Sequence, residues 1–230
     1  MFDINKTLHY QFDRKISDAY IISLKDNEIS QKFTERCANS CKSVGRSYKI
    51  WDAFDGNSGD IIVPEMHKDK DYLRWLKLYN LDLSTTQIGC FISHFSLWCH
   101  CIEIDTPIAI LEHDAIMVRP LDIHNSYATI IYLGSREQAL EGQKVYAIPP
   151  HATAYSGHVR SICRAHAYSI DPAIAKNLVS HVIKYGICES LDMYIRADLF
   201  PIVQMDLHAF DDPYDENGEF TSTIHKEWDG

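Results

Sequence analysis

The chain has 230 residues, 46% of them hydrophobic, and a formal net charge of −10. Such a composition suits a globular core and excludes disorder, while the acidic balance opposes the broad phosphate-tracking surface that nucleic-acid binders use. No apolar run approaches the roughly 18 residues of a membrane span, and Met1 to Lys6 lacks the basic and apolar regions of a secretory signal.

Residues 1–16 are polar and read as peripheral. Residues 19–24 (AYIISL) form a first buried strand. A helix follows, with Ile29, Phe33, Cys37, Cys41 and Val44 on one stripe, and Gly45 as its stop. Residues 48–51 make a second strand that leads into Asp52-Ala53-Phe54-Asp55-Gly56. Strand, helix and strand without a hairpin signal imply a parallel crossover. Residues 57–68 read as loop, broken by Pro64, and 72–76 as a short helix. Ser84 and Gln87 have the spacing of a capping box. The helix they open buries Ile88, Phe91, Ile92, Phe95, Trp98 and Ile102.

Residues 107–111 (PIAIL) read as a buried strand that runs straight into Glu112-His113-Asp114. In open α/β sheets ligands sit beyond the carboxyl ends of the strands. Two carboxylates there suit a hard divalent cation, and through it a phosphate. The plain alternative is an acidic turn. Further strands are expected at 129–133, 144–146, 166–170 and 201–205. Between the last two lies a helix with Asp171 as N-cap and Pro172 at N1. It buries Ile174, Leu178, Val182 and Tyr185 and ends at Gly186. Ser190 opens a short helix through Asp192 and Ile195. The tail beyond Phe210 is acidic and turn-rich. The pattern has neither a dinucleotide Gly-x-Gly-x-x-Gly nor a P-loop.

The seven cysteines are an odd number without Cys-x-x-Cys pairs, so they read as free buried thiols. Cys99-His100-Cys101 is too tight to converge on one ion from a helix.

Four blocks together resemble glycosyltransferase family 25. They are Tyr20 to Leu24, Trp51 to Gly56, Gly89-Cys90-Phe91-Ile92-Ser93-His94-Phe95-Ser96-Leu97-Trp98, and Ile110 to Ala115. The likeness continues through Ala167 to Ile170 and Leu191 to Tyr194, covering about residues 18–210. It implies a GT-A-like α/β domain over 1–230, with a mostly parallel central sheet flanked by helices. It also implies a UDP-sugar donor, a divalent metal (Mn²⁺ or Mg²⁺) and inversion at the anomeric carbon. Two departures stand out. The family has Glu-Asp-Asp where this chain has Glu112-His113-Asp114, and Lys25-Asp26 follow the first strand where relatives are often Arg-rich.

On this reading Asp114 is the chief metal ligand, Glu112 holds the ribose or a metal-bound water, and His208 is a further ligand. Asp192 is the general base. Ile22, Ser23 and Leu24 lie along the uracil, Asp55 and Gly56 at the ribose, and Ser93 and His94 against the donor. His113 either alternates away from its neighbours or tunes metal and sugar choice. The reaction expected is hexose transfer, of galactose or glucose, to a hydroxyl on a glycan such as lipooligosaccharide, in the cytoplasm or at the inner membrane face. Three rival readings remain. One is transfer to hydroxymethylated bases in DNA, aided by Lys68, Lys70, Arg74 and Lys77 with Tyr72 and Trp75. Another is a sugar-nucleotide-binding module without turnover. The third is a hydrolase using Asp211, Asp212 and Asp215.

Overall fold

The computed structural model describes residues 13–57, 76, 82–122, 124–134, 145–148 and 165–211. The basic segment 68–77, apart from Leu76, and the acidic residues Asp212 and Asp215 lie outside them.

The elements in order are β1 (Asp13–Lys15), β2 (Ala19–Ser23), α1 (Glu28–Ser43), β3 (Tyr48–Asp52), α2 (Thr85–Glu103), β4 (Ile108–Glu112), β5 (Ala115–Met117), β6 (His124–Ser126), β7 (Ile130–Gly134), β8 (Val145–Ile148), β9 (Ala167–Ile170), α3 (Pro172–Tyr185), α4 (Leu191–Tyr194) and β10 (Ile202–Asp211). Among the described residues the main sheet has eight strands in the order β3-β2-β4-β9-β7-β10-β5, with β8 also on β10. β2, β3, β4, β7 and β10 share one direction. β9 is inserted antiparallel between β4 and β7. β1 and β6 form a separate ribbon. The fold is α/β and GT-A-like. No helix among the described residues is long and apolar enough to cross a membrane.

The helices start where their caps dictate. Ser84 Oγ accepts the Gln87 N–H at 3.2 Å while Gln87 Oε1 accepts the Ser84 N–H at 2.9 Å, which satisfies two donors the first turn would leave open. Asn27 caps α1 through the Ser30 N–H, and Asp171 caps α3 through that of Ile174. Gly45, at φ 70°, takes the left-handed turn after α1 that a side chain would resist.

Strand alternation sends side chains to both faces of the sheet. Tyr20, Ile22, Ile108, Ile110, Tyr132 and Tyr168 join Phe91, Phe95 and Trp98 of α2 and Ile174 and Leu178 of α3. Ala19, Ile21, Ala109, Leu111 and Ala167 join Cys37, Ala38 and Cys41 of α1. Two details differ from the sequence pattern. Ile29 and Tyr185, at the ends of their helices, are exposed. β10 extends to Asp211 instead of ending near 205. A break in register between Gln204 and Ala209 lets its first half pair with β8 and its second with β5.

Candidate active site

β2, β3 and β4 are parallel neighbours, so Ser23, Asp52 and Glu112 end at one edge of the sheet. The loops that follow them and the first half of α2 enclose a cleft of about 820 Å³, open solvent included. Ile22, Leu24, Asp55, Gly56 and Ser93 line it, as do His94, Glu112, His113 and Asp114. Nine of the residues singled out in the sequence therefore share one cavity.

Several of them are engaged with the protein itself. Ser93 Oγ accepts the Phe54 N–H at 2.9 Å and donates to Gly89 O at 2.7 Å, which ties the β3–α2 loop to the helix. Ser96 ties the end of β3 itself to the helix by accepting Trp51 Nε1–H at 2.8 Å. Ser23 is buried behind the cleft, where Thr34 and Gln31 donate to its hydroxyl. Gly56 is glycine because a Cβ there would run into the Thr85 carbonyl group and the Thr86 nitrogen at the start of α2.

Glu112 ends β4 on the α2 side. Trp98 Nε1–H donates to the Tyr168 oxygen at 2.9 Å. The Tyr168 hydroxyl is then turned to His94 Nδ1, 2.8 Å away. That leaves the imidazole proton on Nε2, facing Glu112 Oε1 at 3.3 Å. Burial pushes the fully enclosed His94 down to about 3, with the charge of Asp192 offsetting part of this. It is a neutral hydrogen-bond donor rather than half of an ion pair. Cys90 Sγ donates to the same oxygen across 3.6 Å. Burial, reinforced by the Glu112 charge, holds its thiol well above the usual range. Cys90, His94 and Glu112 thus bring three potential metal ligands within 4.8 Å of one another.

His113 faces α1, away from Glu112, yet still lines the cleft. Ser30 Oγ accepts the Leu24 N–H at 2.9 Å and lies within hydrogen-bond distance of His113 Nδ1, 3.2 Å away. The ring stacks on Phe33 at 6.0 Å. Burial lowers its pKa, and the nearby Asp114 opposes that shift. Asp114 follows in the turn between β4 and β5.

Asp192 does not line the cleft. It sits at the first turn of α4, where Oδ1 accepts the Ala165 N–H at 3.1 Å. His208 lies on β10 beside Ala209, which pairs with Gly134 at the end of β7; its side chain lies outside the described residues. Cys90 and Tyr168 are site residues that no sequence motif assigned a role. The i, i+4 spacing of Cys90 and His94 was a visible signal.

None of the described residues lining the cleft is Lys or Arg, while Asp55, Glu112 and Asp114 are carboxylates. A diphosphate entering such walls needs a cation to offset the repulsion. Glu112 and Asp114 offer carboxylate oxygens, the donor type that a hard divalent ion takes.

The family model for glycosyltransferase family 25, described as LPS biosynthesis protein, matches residues 16–195. The chain belongs to glycosyltransferase family 25. It is a glycosyltransferase, with sugar donor and acceptor as its partners. The match spans β2, β3, α2 and β4, which build the cleft, and reaches just past Asp192. His208 lies beyond it. No curated protein sequence gave a match.

Proposed function

We propose that this glycosyltransferase moves a hexose, galactose or glucose, from a UDP-sugar to a hydroxyl on a lipopolysaccharide-type glycan with inversion. The reaction would take place in the cytoplasm or at the inner membrane face. The observation that carries the reading is the carboxylate-lined cleft at the ends of β2, β3 and β4 in a chain of this family.

Asp114 and Glu112 would hold Mn²⁺ or Mg²⁺, which when bound offsets the charge of the departing diphosphate. The remaining work falls to the chain. Ile22 and Leu24 offer an apolar wall for the uracil, and Asp55 an acceptor for ribose hydroxyls. His94 keeps the Glu112 carboxylate in place. Asp192, outside the cleft wall but near enough for its charge to act on Cys90 and His94, would serve as the base that takes the acceptor proton if the acceptor enters from its side. A general base contributes roughly 10²–10⁴-fold.

The test is UDP release from a panel of UDP-hexoses, with and without chelator. One donor should be turned over with acceptor glycan, and chelator should stop it. Asp114→Asn should cut turnover at least a hundredfold with an unchanged melting temperature. Near-normal turnover in that variant removes the metal assignment. Asp192→Asn should lower kcat with donor affinity intact; an unchanged kcat removes the base.

A further inference from the structure

The floor of the cleft holds a donor set unlike the oxygen pair that a diphosphate-bound cation would use. Cys90 and His94 are one turn apart on α2, and Glu112 meets them from the end of β4. Both side chains approach the same oxygen, Glu112 Oε1, with sulfur at 3.6 Å and Nε2 at 3.3 Å. Zinc bonds of about 2.3 Å to sulfur and about 2.0 Å to nitrogen and oxygen, at tetrahedral angles, set sulfur and oxygen about 3.5 Å apart and nitrogen and oxygen about 3.3 Å apart. The two separations agree with those edges. Thiolate with imidazole selects zinc-like ions, whereas manganese and magnesium favour oxygen. The far nitrogen of His94 is already held by Tyr168 at 2.8 Å, with Trp98 behind it. Such outer contacts orient the ligands of metal sites.

We propose that Cys90, His94 and Glu112 form a three-ligand site for one Zn²⁺ ion, whose fourth position opens into the cleft. The protons balance. Cys90 gives its thiol proton to solvent as the Zn–S bond forms. The imidazole proton passes from Nε2 to Nδ1, and the Tyr168 hydroxyl turns to accept it. If the cleft is the donor site, as proposed above, the bound ion takes the carboxylate that the donor complex needs. Zinc then inhibits transfer at concentrations near its own Kd.

Cobalt tests the site without any sugar substrate. Metal-free protein titrated with Co²⁺ should take up one equivalent and develop a thiolate-to-cobalt charge-transfer band, which Zn²⁺ abolishes. Cys90→Ser should lose the band and bind Zn²⁺ at least tenfold more weakly, while Asp114→Asn keeps both. Because a substitution at the cleft floor can disturb folding, the unaltered protein is also alkylated with and without Zn²⁺. Mass spectrometry should show Cys90 protected at least tenfold. A cobalt complex without the band, a band that Asp114→Asn abolishes, or alkylation of Cys90 at an equal rate in zinc each overturn the site. A protein that releases no UDP from any donor, yet shows the band, loses the UDP-sugar reading and keeps the zinc site.

Discussion

On one face of the sheet Tyr20, Ile110, Tyr132 and Tyr168 meet Phe91, Phe95 and Trp98. On the other, Ala19, Ile21, Ala109, Leu111 and Ala167 join Cys37, Ala38 and Cys41 in an aliphatic layer whose described buried residues carry no large aromatic ring. The aromatic layer is thick enough to contain a chain of polar groups, from the Trp98 indole through Tyr168 and His94 to Glu112. The other layer carries its polar groups along α1 instead, where Gln31 donates to Ser23 and Ser30 accepts the Leu24 N–H beside His113. Ser30 and Phe33 reach the turn directly. Glu112 and His113 are adjacent in sequence, but opposite layers grip them. The difference shows how one strand end can carry a carboxylate held by one layer of the core and a neighbouring ring held by the other.

The strongest way to break the contrast is to remove the aromatic mass. Trp98→Ala should cost about 3–5 kcal/mol, read from urea unfolding. Cys37→Ala, equally buried on the other face, should cost about 1 kcal/mol. Equal losses would mean that the two layers bear the same load.

Acid comes next. His94 titrates near 3 in the fold and near 6.5 in the unfolded chain. Between those values the unfolded state binds the extra proton. The stability this burial confers is complete above pH 6.5 and drains away as the pH falls, by up to about 1.4 kcal/mol per unit. Burial also lowers His100, His113 and His181, which act in the same direction. Melting temperatures taken from pH 7.5 to 5 should fall steadily. A flat profile would show that His94 is not held neutral in the core.

The smallest change is Tyr168→Phe. It leaves the Trp98 N–H and His94 Nδ1 without their shared hydroxyl, at about 1–3 kcal/mol. The sharper readout is tautomeric. Nitrogen-15 NMR should find the His94 proton on Nε2 in the native protein and redistributed in the variant. An unaltered ring spectrum would show that Tyr168 does not set the tautomer.

Local rules made much of this legible. The capping box at Ser84, the Asp171-Pro172 helix start and the strand ending at Glu112 are short-range patterns, and each element appears within a residue or two of its expected place. Parallel pairing of β2 with β3 followed from the intervening helix. What stayed hidden depends on contacts between distant segments. Nothing near Ser93 announces that its hydroxyl serves the Phe54 backbone. Tyr168 is 74 residues from the His94 it orients. β10 looked short because its register breaks part-way, which alternation cannot anticipate.

Gly56 has one more consequence. The atoms that exclude a methyl group there belong to the main chain of Thr85 and Thr86, so no rotamer change can make room. Any larger residue must lift the β3 loop off the helix or unwind the helix start. Either movement would redraw the mouth of the cleft. The aperture of the enzyme is gauged by a single missing carbon.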